Sequence, residues 1–161
     1  MWREMKEVMD ALSSCYAELA KVSGAKHKAL AAMDLKAIER VVKEEERFAA
    51  EIERLEVRRK EVLRSLAEKD AGIEATMKLR ELLARCPDRQ IAGELESLHE
   101  ELDRRMKEVE RLGERNTLLA EGALAAVTAN LNRIGGTAAG ASYGAGGKES
   151  VTRERRFDFK A

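Results

Sequence analysis

The chain has 161 residues, of which 37% are charged and only 4% are aromatic. This composition favours helical coiled-coil architecture over a mixed globular core. Thirty basic and thirty acidic residues give zero formal charge and no basic block stands out, so nothing in the charge pattern supports nucleic-acid binding.

Membrane segments are not predicted either. The chain has no run of eighteen apolar residues, and its first residues, Met-Trp-Arg-Glu, lack the apolar centre of a signal peptide. We therefore expect a cytoplasmic protein without membrane insertion. Cys15 and Cys86 stand far apart with no ligand at metal spacing, which predicts two structural thiols and no metal site.

The first two predicted helices cover residues 2–31 and 35–68. Ser23 and Gly24 weaken the first helix without ending it, because one glycine costs only about 1 kcal/mol. Asp34 is the expected N-cap of the second helix, and the three-residue connection requires an antiparallel hairpin. Apolar residues recur at three- and four-residue steps in both helices: Met5, Met9, Leu12, Tyr16, Leu19 and Val22, then Leu35, Ile38, Val42, Phe48, Ile52, Leu55, Val62 and Leu66.

Charged residues occupy two seam positions. Glu45 interrupts the seam of the second helix, and Arg105 interrupts the seam of a later one. We hypothesise that these two side chains pair with each other.

A short connecting helix over residues 73–85 is predicted to return the chain to a long last helix, residues 88–134. Pro87 and Asp88 mark its start, since proline and an acid both suit the first turn. Its seam is a heptad pattern that requires a partner helix. The seam residues are Ile91, Leu95, Leu98, Leu102, Met106, Val109, Leu112 and Leu119.

The character of this long helix changes midway. Its surface is crowded with charges up to Arg115, whereas residues 116–132 contain one charge, Glu121. A second apolar stripe opens there, at Ala120, Leu124, Val127, Leu131 and Ile134. Either other helices of the same chain cover this wide face, or something else does.

Asn116 and Asn130 lie fourteen residues apart in the seam register of the long helix. Buried asparagine at such positions usually fixes register or strand number. Contact with the backbone of a partner is the alternative interpretation.

After Ile134, six of the eleven glycines fall between residues 135 and 147, which predicts a disordered tail over residues 135–161 attached to a helical domain of residues 1–134. The tail contains Tyr143 and a terminal segment with Phe157 and Phe159. The predicted fold is therefore all-α: an antiparallel bundle of three long coiled-coil-like helices, one short connecting helix and a Gly-rich tail.

Catalytic groups are not apparent. His27 and His99 are isolated in charged helical surroundings, with no nucleophile at a useful spacing. No enzyme activity, cofactor or metal is expected.

Several short motifs together resemble the FlgN family of flagellar export chaperones. They are Lys28-Ala-Leu30, Met33-Asp34-Leu35, Glu44-Glu-Glu-Arg-Phe48, Leu55-Glu-Val-Arg58, Asn116-Thr-Leu-Leu119 and Tyr143-Gly144. The long last helix, the Asn-x-Leu-Leu motif and the Tyr-Gly tail carry most of the resemblance. Residues 150–161 have no counterpart in it.

The resemblance implies a type III secretion chaperone for hook-filament junction proteins of the FlgK and FlgL type. Such a protein covers apolar terminal helices of its clients, prevents their premature self-association and delivers them to the export gate, of the FlhA type. We expect the client-binding residues to be Leu119, Leu124, Val127, Leu131 and Ile134. Tyr143 is expected to dock on the client or on the gate.

The alternative hypothesis is a structural coiled coil that associates with itself and has no client. The chain is expected to be a monomer or a weak homo-oligomer, because a seam with two asparagines admits more than one partner number.

Overall fold

A computed structural model describes residues 1–74 and 77–139 of the chain, with side chains described as far as Gly135. Within these residues four helices follow one another: α1, Trp2–Ala31; α2, Leu35–Lys69; α3, Leu79–Ala84; and α4, Arg89–Ala139. The predicted all-α class, with three long helices and one short helix, is confirmed. By packing, the chain divides into one compact unit, Met1–Asn116, and a second unit that begins at Thr117.

The turn between α1 and α2 is as short as predicted. The amides of Met33 and Asp34 donate to the carbonyls of Leu30 and Ala29, which is the Schellman pattern for ending a helix. Met33 takes the left-handed conformation, with φ of 53°, at the position where glycine is usual. The carboxylate of Asp34 accepts a hydrogen bond from the Ala37 amide at 3.0 Å, so Asp34 is the N-cap of α2.

In the first unit, α1 and α4 run parallel while α2 runs antiparallel to α1. Three contacts give the register of α4 on α1: Lys6 pairs with Glu94, Arg105 donates to the carbonyl of Ser13, and Asn116 donates to the carbonyl of Ser23. In these three contacts the residue numbers increase in the same direction along α1 and α4, so the two helices are parallel. The first unit is therefore an up-down-up bundle.

The core of the first unit is built from all four helices and the connection before α3. Leu12 and Leu95 are completely buried and lie at its centre. Its other buried members are Met5, Val8, Met9, Val62, Leu66, Ile73, Leu82, Leu83 and Leu102. Trp2 is half-buried and packs against this cluster.

The short helix differs from its predicted range of 73–85, because it covers only Leu79–Ala84. Ile73 and Leu82 are nine residues apart and both are buried in the core. At about 100° per residue, one continuous helix would place them on opposite faces. A break between them lets both side chains reach the same core. Ile73 instead follows a turn in which its amide donates to the Asp70 carbonyl at 2.9 Å.

The predicted bounds of the long helix are also slightly wrong. α4 begins at Arg89, with the carboxylate of Asp88 accepting from the amides of Gln90 and Ile91 at 2.9 and 3.2 Å. It continues to Ala139, five residues beyond the predicted end. Gly135 and Gly136 each destabilise the helix by about 1 kcal/mol, but the alanines that follow them favour helical structure. The predicted domain boundary at 134 stays a prediction, and the remaining tail lies outside the described residues.

Candidate functional site

One apolar face runs along the whole of α4. Successive members are three or four residues apart, or two such steps apart, so every member lies on the same side of the helix. In the first unit its members are Leu95, Leu98, Leu102, Met106, Val109 and Leu112. In the second unit they are Ala120, Leu124, Val127, Leu131 and Ile134, which we call the distal stripe.

Most of the first part of this face is covered by the chain itself. Leu95 is completely buried, Leu102 is 7% exposed, and Leu98 packs half-buried against the same cluster. Helix α1 lies over this part, held by the Arg105 and Asn116 side chains on its carbonyl oxygens. Leu95, Leu98 and Leu102 are therefore structural core, whereas Met106 on the same face is 45% exposed.

The distal stripe is exposed. Leu124 is 46% exposed, Val127 41%, Leu131 37% and Ile134 61%. These are four of the five residues predicted to bind a client, and the fifth, Leu119, is half-buried beside the stripe. Tyr143, the other predicted site residue, lies outside the described residues. An exposed stripe of large apolar side chains on a helix can bind the apolar face of another amphipathic helix.

Sequence reasoning missed Leu118, which at 69% is the most exposed of the large apolar residues between Thr117 and Gly135. It lies nine residues before Val127, which is half a turn away from the distal stripe. Because it breaks the stripe's three-and-four spacing, no periodic signal identified it.

A polar layer ties α1 to α4 at the end of the first unit. Asn116 is 3% exposed; its Nδ2 donates to the Ser23 carbonyl at 2.8 Å, and its Oδ1 lies 3.1 Å from Nδ1 of His27. Since the amide nitrogen is used as a donor, Oδ1 accepts from a protonated Nδ1. The predicted burial is confirmed for Asn116, whose bonds join α4 to α1 at one level, but it is wrong for Asn130, which is exposed.

The hypothesis that Glu45 pairs with Arg105 is wrong. Glu45 instead accepts a hydrogen bond from Nζ of Lys26 at 2.6 Å and one from the Ser23 hydroxyl at 3.4 Å. Arg105 pairs with Glu101 on its own helix and donates to the Ser13 carbonyl. A heptad pattern identifies which face is covered, but the offset between neighbouring helices decides which residues meet.

The ionisable groups have structural partners. Both cysteines are free; Sγ of buried Cys86 lies 3.3 Å from the Asp88 carbonyl, and burial, assisted by Glu51, raises the pKa of Cys15. The Lys6 ammonium, with the Gln90 amide, holds the pKa of Glu94 below its ordinary value.

Within residues 1–74 and 77–139 no three His, Cys, Asp or Glu side chains gather closely enough to hold a metal ion. No helix in the described ranges is long and apolar enough to cross a membrane.

Comparison with known proteins identifies the family. A family model described as FlgN protein matches residues 1–150. No curated protein and no solved structure gives a match to the chain. The family match covers nearly the whole chain, both α1–α3 and the α4 segment with the distal stripe, and members of this family are chaperones rather than enzymes. The chain therefore belongs to the FlgN family, which implies a flagellar export chaperone that binds export substrates.

Proposed function

We propose that the protein is a cytoplasmic type III secretion chaperone for hook-filament junction proteins of the flagellum. It binds an apolar terminal helix of its client on the distal stripe, prevents premature self-association of the client, and delivers it to the export gate. The observation that supports this most is the exposure of four consecutive large members of the distal stripe, on a helix whose same face is buried at Leu95 and Leu102.

The chemistry of the distal stripe supports a helical client. Residues 116–132 contain one charge, Glu121, so a partner helix is not required to bring matching charges to this stretch. Leu124, Val127 and Leu131 are each more than a third exposed and offer aliphatic surface. An interface of ordinary size would bury on the order of 800 Å² per partner, which requires a long apolar face rather than a few isolated contacts.

Delivery requires release as well as capture. We place Tyr143 in this step, as an anchor for the client or for the export gate. It follows α4 in a glycine-rich stretch of the sequence, and because glycine loses more conformational freedom than other residues on binding, the contact should be weak and reversible.

The experiment is co-purification of the full chain, and of a copy ending at Ala139, with the C-terminal helical segment of a hook-filament junction protein from the same organism. Light scattering then gives the stoichiometry. A 1:1 complex with both chains supports client binding on the helices and leaves the tail for the gate. Capture by the full chain alone moves the client site to the tail around Tyr143.

The second candidate is a structural coiled coil whose distal stripe is covered by another copy of the same chain. The same exposed apolar residues favour it, because they satisfy a second copy as well as a client. It predicts a stable oligomer in the absence of any junction protein, no complex with the client segment, and dissociation of the oligomer by Val127→Asp.

A further inference from the structure

Asn116 and its partners illustrate how this chain accommodates an amide in an apolar helical seam. Its two amide atoms are both used: Nδ2 donates to a main-chain carbonyl, of Ser23, and Oδ1 accepts from a side chain, that of His27. Both partners lie on α1, the helix that covers this part of α4. At this level the oxygen is satisfied by a donor side chain of the covering helix.

Asn130 stands in the corresponding position of the distal stripe. It follows Asn116 by fourteen residues, close to four helical turns, so both point to the same side of α4. Its neighbours on the helix surface are Val127 and Ile134, three residues before and four residues after. Asn130 itself is exposed, whereas Asn116 is buried. The distal stripe therefore repeats the polar position of the covered part of the face.

We propose that Asn130 determines which helix the distal stripe accepts: the client helix must present a hydrogen-bond donor side chain at the level of Asn130. This inference rests on the proposed function, and it follows from continuity with the interface between α1 and α4. Main-chain carbonyls are present in every helix and can accept from Nδ2, so they do not discriminate. The Oδ1 atom discriminates, because an aliphatic client residue would bury it without a donor.

Asparagine at a single seam position also disfavours wrong registers, since only one alignment places the donor opposite the amide. For a chaperone with a nearly uncharged binding face, this supplies selectivity that aliphatic contacts alone do not provide. A helix with a wholly aliphatic seam is the competitor that Asn130 rejects.

The test uses the full chain, an Asn130→Leu variant and an Asn132→Leu variant. Asn132 provides a matched control, because the substitution is the same but the residue lies about 200° around the helix from Asn130. Two probes are compared by calorimetry: the C-terminal helical segment of a hook-filament junction protein, and a copy of it in which every polar seam residue is replaced by leucine. Circular dichroism checks that helicity is equal in all three chains.

The unmodified chain and Asn132→Leu are expected to prefer the natural segment over the leucine copy by about tenfold or more, which is what one buried, unpaired polar group costs. In Asn130→Leu this preference is lost or reversed. Equal preference in the Asn130→Leu and Asn132→Leu chains overturns the inference while leaving client capture intact.

Two further outcomes also overturn it. If the unmodified chain captures neither probe, the proposed function fails and the role of Asn130 fails with it. If the chains form a stable oligomer without any probe, and Asn130→Leu alone changes its stoichiometry, the partner of Asn130 is a second copy rather than a client.

Discussion

Residues 89–116 and residues 117–135 belong to one helix and share one apolar face, but they differ in what covers that face. In the first segment Leu95 and Leu102 are buried under α1, and the outer surface is densely charged. In the second segment Leu124 and Val127 are exposed, and the charge is almost absent. Apolar periodicity therefore locates a face, whereas the loss of surrounding charge coincides with the part of that face that is exposed.

The largest contrast should appear when one leucine is shortened in each segment. Leu95→Ala leaves a cavity at a completely buried site, so the free energy of unfolding should fall by about 2 to 5 kcal/mol. Leu124→Ala removes the same atoms from a side chain that is 46% exposed, and the change should stay within about 0.5 kcal/mol. Urea denaturation followed by circular dichroism measures both. Equal losses would mean that the chain covers the distal stripe itself.

The two asparagines provide the next contrast. Asn116→Ala removes both bonds of a buried amide and leaves the His27 ring nitrogen without its acceptor, so unfolding should become easier by about 1 to 3 kcal/mol. Asn130→Ala alters an exposed residue, and its effect on the isolated protein should be within about 0.5 kcal/mol. Urea denaturation tests this pair, because a shift of the midpoint at an unchanged denaturant slope measures the change in stability. A loss for Asn130→Ala that matches the loss for Asn116→Ala would place Asn130 in the core.

The smallest effect concerns the ion pair that joins α1 to the first segment. The pKa of Glu94 is lowered, chiefly by Lys6, from an ordinary value of 4.5. A carboxyl with a lowered folded-state pKa stabilises the fold above its unfolded pKa, and this contribution disappears as the pH falls through the folded-state pKa. In Lys6→Met the Glu94 pKa should rise towards 4.5, as carboxyl NMR titration would show. Because the pair is solvent-exposed, the unfolding midpoint should scarcely change. An unchanged Glu94 pKa would mean that the pair does not form in solution.

Most of the fold could be predicted from the sequence because the strongest signals are local. The cap at Asp34 and the apolar steps located the ends of α1 and α2 to within one residue, and Asp88 located the start of α4. The short helix was predicted too long because the burial of Ile73 together with Leu82 is a property of the assembled core. The partners of Glu45 and Arg105 were missed for a similar reason, since they depend on the offset between helices.

The candidate site was predictable in part. Spacing and charge located the distal stripe, and four of the five residues predicted to bind a client are exposed members of it. Leu118 was missed because it lies off that spacing. The identity of the client is not encoded in the periodicity, because any amphipathic helix has a face that fits another.

The most direct test of the client site is capture of the junction-protein helical segment by Val127→Asp, compared with Ala125→Asp as a control. Both residues are exposed, but Ala125 lies about 160° around the helix from Val127. We predict that both variants keep the helicity of the parent chain, that Ala125→Asp captures the segment normally, and that Val127→Asp captures none. Capture by Val127→Asp at the level of the parent chain, or unfolding of that variant alone, would contradict the assignment of the distal stripe as the client site.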